Sequence, residues 1–158
     1  MENNFFAENG YYHVKGLYTE SELSKVRAIL NKFHHHWLQE NQSFYQSRGI
    51  NSSGLTGAAC LSVEEKFALF EFVSANTLLK QVKGIVADPQ FMNTQLFFNP
   101  YNPKQANYWH RDMQYHLNVQ EQQAALNGPD VVHCRLGLQD EPGIELVPHS
   151  HKNWDTPE

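Results

Sequence analysis

The hydrophobic period of this chain changes once, at Asp88-Pro89, and that change limits the fold more than any other feature of the sequence. Before it, apolar residues recur at helical spacing; after it, they alternate. Leu23, Val26, Leu30, Phe33 and Trp37 stand 3, 4, 3 and 4 residues apart, which makes one apolar stripe along a helix. Thr19 followed by Glu22 forms a capping box at its start, each side chain satisfying an orphan backbone N–H of the first turn. Ser62 with Glu65 repeats the signature and opens a helix over Phe67, Phe70 and Val73. Asn76 or Thr77 caps a third helix in LLKQVKGIVADP, which the proline ends. GYYHVKG (10–16) reads as a short strand between two glycines. Residues 41–61, with their Ser, Gly and Asn, read as a long loop that could serve as an active-site flap.

Beyond Pro89, FMNTQLFF (91–98), YWHRDMQYHL (108–117), VVHCRLGL (131–138) and IELVP (144–148) read as strands. NPYNPKQAN reads as a loop, and VQEQQAALNGPD as a polar link. Helices first and short strands after predict a mainly β fold with N-terminal helices, a sandwich or barrel behind a helical lead-in. A chain of 158 residues is expected to be a single domain over 1–158, with the lead-in at 1–89 and the β core at 90–158. Four strands fall short of the eight of a closed jelly roll. The terminal WDTPE has Asp155 or Thr156 at a cap position and Pro157 in a first turn, a helix start with no helix after it. The expectation is therefore a chain cut short, whose unpaired strand edges favour self-association.

Composition narrows the function classes. The net charge of -5, without any Lys/Arg run, argues against nucleic acid. No apolar run approaches the roughly 20 residues of a membrane span, and no signal peptide is visible at the N-terminus. Cys60 and Cys134 are far apart, which is neither a zinc pattern nor a disulfide framework, so a reducing, cytoplasmic setting is expected. Nine histidines direct attention to metal. His34, His35 and His36 fan out around a helix and cannot converge on one ion.

YWHRDMQYH (108–116) concentrates the chemistry. In a strand, His110 and Asp112 project from the same face while Arg111 points away. An imidazole beside a carboxylate is two-thirds of the 2-His-1-carboxylate triad that holds Fe(II) and leaves other positions open. His116 has the same parity but lies about 20 Å further along an extended strand, so it joins only if the chain doubles back. The tripeptide alone is equally compatible with an exposed strand pair that holds no metal. A second constellation, His149, His151 and Asp155 in PHSHKNWD, looks like a cupin metal motif. Its bland alternative is a turn whose side chains bond local backbone.

WHRD followed by GIELVPHSHK resembles the phytanoyl-CoA dioxygenase family, whose members carry a W-H-x-D strand and, later, a G-x-L-x-x-x-P-G-S-H-K turn. GYYHVKGLYTESELSKVR resembles the family's opening strand and helix. The resemblance implies a double-stranded β-helix (jelly roll) and oxygenase chemistry with Fe(II), 2-oxoglutarate and O2, in which a small-molecule substrate is hydroxylated at an unactivated C–H. It places His110 and Asp112 as metal ligands and Gln95 as a 2-oxoglutarate contact. Arg135 falls beside the co-substrate where the family often has tryptophan. His149 replaces a glycine of the turn, and His151 matches its histidine, in a structural role. The family's distal histidine ligand and its 2-oxoglutarate-binding arginine lie beyond this turn, so on this reading the C-terminal half of the family domain is absent. The segments 41–61 and 99–107 are expected to face substrate. The competing readings are a cupin-type metalloenzyme using His149, His151 and Asp155, and a non-enzymatic binding domain that keeps the fold.

Overall fold

Thr19 Oγ1 accepts from Glu22 N–H while Thr19 N–H donates to Glu22 Oε2 at 2.7 Å, so the capping box read from the sequence is formed. It starts the longest helix of a computed structural model that describes residues 2–106, 108–112, 117–127 and 131–154. The elements, in chain order, are α1 (Glu2–Asn9), α2 (Glu20–Glu40), α3 (Gln42–Ser47), β1 (Asn51–Ser52), a 3-10 turn (Leu55–Gly57), α4 (Val63–Val73), α5 (Asn76–Lys83), β2 (Leu96–Phe97) and α6 (Val119–Ala125). The chain divides into two compact units. One comprises Gly16–Lys80 and Pro89–Asn107; the other comprises Met1–Lys15, Gln81–Asp88 and Tyr108–Glu158.

The first of these, the α2 unit, is built on the predicted stripe. Val26, Leu30 and Phe33 of α2 are buried with Leu69 of α4, Leu55, Leu61 and Leu78. α4 turns Leu69 inward, while Phe67 and Phe70 stay exposed. Its own capping box, Ser62 with Glu65, is formed, and Glu65 reaches across to Lys32 of α2 at 2.7 Å. β1 and β2 pair antiparallel, Asn51 opposite Phe97 and Ser52 opposite Leu96. Phe98, just after β2, stands in an aromatic cluster with Trp37, Tyr45 and His34. Residues 41–61 are thus not a structureless loop: they carry α3, β1 and the 3-10 turn, and they bury Leu55 and Leu61.

The second, the α1 unit, is organised by hydrogen bonds. Phe5 meets Tyr11 and Phe6 meets Tyr12 edge to face, and Tyr12 Oη donates to Gln81 Oε1 at 3.1 Å. The stretch read as a polar link holds α6 instead. Asn118 and Glu121 form a third capping box there, a local signal that the polar composition of the stretch obscures.

The expectation of a mainly β jelly roll is overturned. Among the described residues the only ladder is β1–β2, with two residues in each strand, and helices dominate. Of the predicted strands, 91–98 contributes only Leu96–Phe97, and 10–16, 108–112, 131–138 and 144–148 form no ladder. Alternation assigns side chains to two faces, but a strand exists only when a neighbour takes its backbone N–H and C=O groups. Here Val131, Ile144, Leu146 and Val147 are exposed, so no apposed layer rewards the alternation.

Candidate metal site and its supporting turn

His110 and Asp112 lie in the α1 unit; residues 108–111 join no ladder, and Asp112 stands in a 3-10 turn. His110 Nδ1 faces the Tyr108 carbonyl at 3.4 Å. With the proton on that nitrogen, Nε2 presents its lone pair, the arrangement a ligating imidazole needs. Nε2 stands 3.4 Å from Asp112 Oδ1. Two ligands at right angles, each about 2.1 Å from an ion, would sit about 3 Å apart. The side chains are 41% and 60% exposed. Nitrogen and carboxylate donors suit Fe(II), and the pair fits two of its positions. Among the described residues, no three His, Cys, Asp or Glu side chains form a group that could hold a metal ion.

The other oxygen of Asp112, Oδ2, lies 3.4 Å from His133 Nε2. Asp112 is thereby bracketed by two imidazoles. The alternation of 131–138 sets His133 on the same side as Arg135, but nothing local in the sequence links position 133 to position 112. An imidazole N–H on the second oxygen would orient the carboxylate.

Gln95 belongs to the α2 unit, where its Oε1 accepts from Asn51 Nδ2 at 3.2 Å. Arg135 is held by Glu141 through two hydrogen bonds of 2.5 and 2.7 Å. The Arg135 hydrogen bond also pulls the Glu141 carboxyl below its ordinary value. Glu141 thus occupies two of the five guanidinium donors of Arg135 and neutralises its charge. His116 and Asp155 lie outside the described residues.

His149 and His151 are engaged elsewhere. His149 N–H donates to Asn9 O, His149 Nδ1 lies 2.8 Å from Glu8 O, and His151 Nε2 lies 3.3 Å from Ala7 O. The last carbonyls of a helix have no partner within it, and this turn supplies partners for three of them at the end of α1. His149 takes φ +67, the left-handed region, at the position where the resembling turn has glycine. Gly10 lets the turn approach, since a Cβ there would come within 2.5 Å of His151 Nδ1.

No helix among the described residues is long and apolar enough to cross a membrane. The sequence model described as phytanoyl-CoA dioxygenase (PhyH) matches residues 6–158. No curated protein and no solved structure matches the chain. Members of that family are dioxygenases that depend on Fe(II) and 2-oxoglutarate. With the match running over nearly the whole sequence, and its W-H-x-D histidine and aspartate converging, this chain belongs to the phytanoyl-CoA dioxygenase family.

Proposed function

We propose that this protein is a hydroxylase dependent on Fe(II) and 2-oxoglutarate, acting on a small organic or acyl substrate, with His110 and Asp112 holding the metal. The observation that carries the reading is the approach of His110 Nε2 to Asp112 Oδ1, 3.4 Å apart, within a chain of a dioxygenase family. When bound, Fe(II) supplies the oxidising chemistry with O2, coupled to decarboxylation of 2-oxoglutarate to succinate. The chain's own residues bind and orient. His110 offers Nε2 because the Tyr108 carbonyl takes the side of the other nitrogen. Asp112 offers one oxygen and a negative charge that offsets part of the ion's charge, while its second oxygen faces His133. Tyr108 and Trp109, both exposed beside the pair, are the aromatic surface available to cover it and exclude water.

Anaerobic titration with Fe(II) and 2-oxoglutarate tests this, read by the visible absorption band of the chelate. The expected result is a band in the unaltered protein that His110→Ala abolishes. A band of equal intensity in His110→Ala would remove His110 and Asp112 from the metal site.

A further inference from the structure

The side chains of His110 and Asp112 are 41% and 60% exposed, so contacts to the backbone between them bear on where the two stand. The residue between them is Arg111, and it is anchored on both arms of its guanidinium. Nη1 donates to Ser150 O at 2.6 Å and Nη2 donates to Asn153 O at 2.7 Å. The guanidinium carbon also lies 5.2 Å from the centroid of the Trp154 ring, within cation–π range. Two carbonyls of one turn aimed at the two arms of one planar fork form a site that only arginine fills, since lysine offers a single point of donation.

The turn that receives Arg111 is itself tied down. Lys152 N–H and Asn153 N–H both donate to His149 O, as does Asn153 Nδ2. His149 and His151 then bind the turn to the carbonyls at the end of α1. A continuous path of hydrogen bonds therefore runs from α1 through the 149–153 turn to the backbone that carries the two proposed ligands. Because adjacent Cα atoms stand about 3.8 Å apart, holding Arg111 constrains where both neighbours begin.

We propose that Arg111 is a positioning residue: by locking its segment to the 149–153 turn, it sets the separation of His110 and Asp112 for metal. The inference rests on the reading of those two residues as ligands. It gives the PHSHK turn a function in the site even though neither of its histidines touches the ion.

The test is anaerobic Co(II) titration of the whole chain, comparing the unaltered protein with Arg111→Met, Arg111→Lys and His110→Ala, with the helix signal in circular dichroism recorded for each. Arg111→Met is expected to weaken Co(II) binding by about tenfold or more, the range found when a group that orients a metal ligand is lost. It should also alter the cobalt visible band while the helix signal is kept, and Arg111→Lys should recover part of the affinity. An Arg111→Met protein that binds Co(II) with unaltered affinity and spectrum, while His110→Ala does not bind, would overturn the positioning role and leave the metal site standing. Undiminished binding in His110→Ala would overturn both. Should Arg111→Met fail to fold, hydrogen exchange of the unaltered protein decides. Co(II) should increase protection of the Lys152 and Asn153 amides, because coupling between two sites is reciprocal; unchanged protection would overturn the proposal.

Discussion

The two units are held together by different physics. Every buried apolar residue among the described residues lies in the α2 unit: Val26, Leu30, Phe33, Leu55, Leu61, Leu69 and Leu78. The α1 unit leaves Trp109, Val131, Ile144, Leu146 and Val147 exposed and relies on side chains that bond backbone carbonyls or one another: Arg111 to the turn, His149 and His151 to α1, Tyr12 to Gln81. The contrast teaches that the candidate site is carried by the unit with the directional contacts. Hydrogen bonds fix angles and separations that hydrophobic burial, being non-directional, leaves loose.

Core truncation should separate the units most clearly. Phe33 is 4% exposed in α2, and Phe33→Ala is expected to cost about 3–5 kcal/mol. Ile144, 56% exposed, should cost no more than about 0.5 kcal/mol when truncated to Ala. Denaturant midpoints of the two variants check the pair, and equal losses would break the comparison.

Gly10→Ala probes the α1 unit at its tightest approach. The new Cβ would meet the His151 ring within 2.5 Å, at a backbone φ of +83 that resists any side chain. A loss of about 1–3 kcal/mol is expected. Exchange of the Lys152 and Asn153 amides should rise in this variant if the turn, and not the α2 core, is what loosens.

Thr19→Ala should cost about 1 kcal/mol by removing the cap of α2. Loss of helicity read by circular dichroism checks it, and an unchanged melting midpoint would mean that burial of the stripe alone sets the helix start.

The smallest expected effect is in pH. Burial, and secondarily the charge of His35, holds the His34 imidazole below its ordinary value of 6.5. Its ring lies against Phe98, and its Nδ1 is buried without a hydrogen-bond partner. Below pH 6.5 the unfolded chain therefore takes up a proton more readily than the folded one, and stability falls as pH falls toward the folded value. Glu65 is held below its ordinary value of 4.5 by the hydrogen bond from Lys32 and then by the Ser62 backbone N–H. Its contribution is present above 4.5 and is lost as pH falls through the folded value. Denaturation midpoints between pH 7 and 3 should show both steps. His34→Leu should flatten the upper one alone, and a slope unchanged by that substitution would refute the assignment.

Much of the α2 unit was legible in the sequence, because capping boxes and a helical stripe are local signals. Thr19 with Glu22, Ser62 with Glu65, and the run Val26, Leu30, Phe33 needed only neighbours within one or two turns. The same signal in Asn118 with Glu121 announced α6 as plainly, though the polar composition of the stretch suggested a link. The strand parity that paired His110 with Asp112 is not what brings them together, since 108–111 join no ladder and Asp112 stands in a 3-10 turn. What the sequence by itself determined, then, was the starts of α2 and α4 and the buried stripe. Only the tertiary structure decided that the described residues of the alternating segments form almost no ladder, that His133 reaches the far oxygen of Asp112, and that Arg111 grips a turn which in turn completes the end of α1. The physical reason is one of range: caps and stripes are satisfied within a few residues of themselves, whereas a ladder, a bracketed carboxylate or a guanidinium anchored on two carbonyls requires a partner that sequence distance does not reveal.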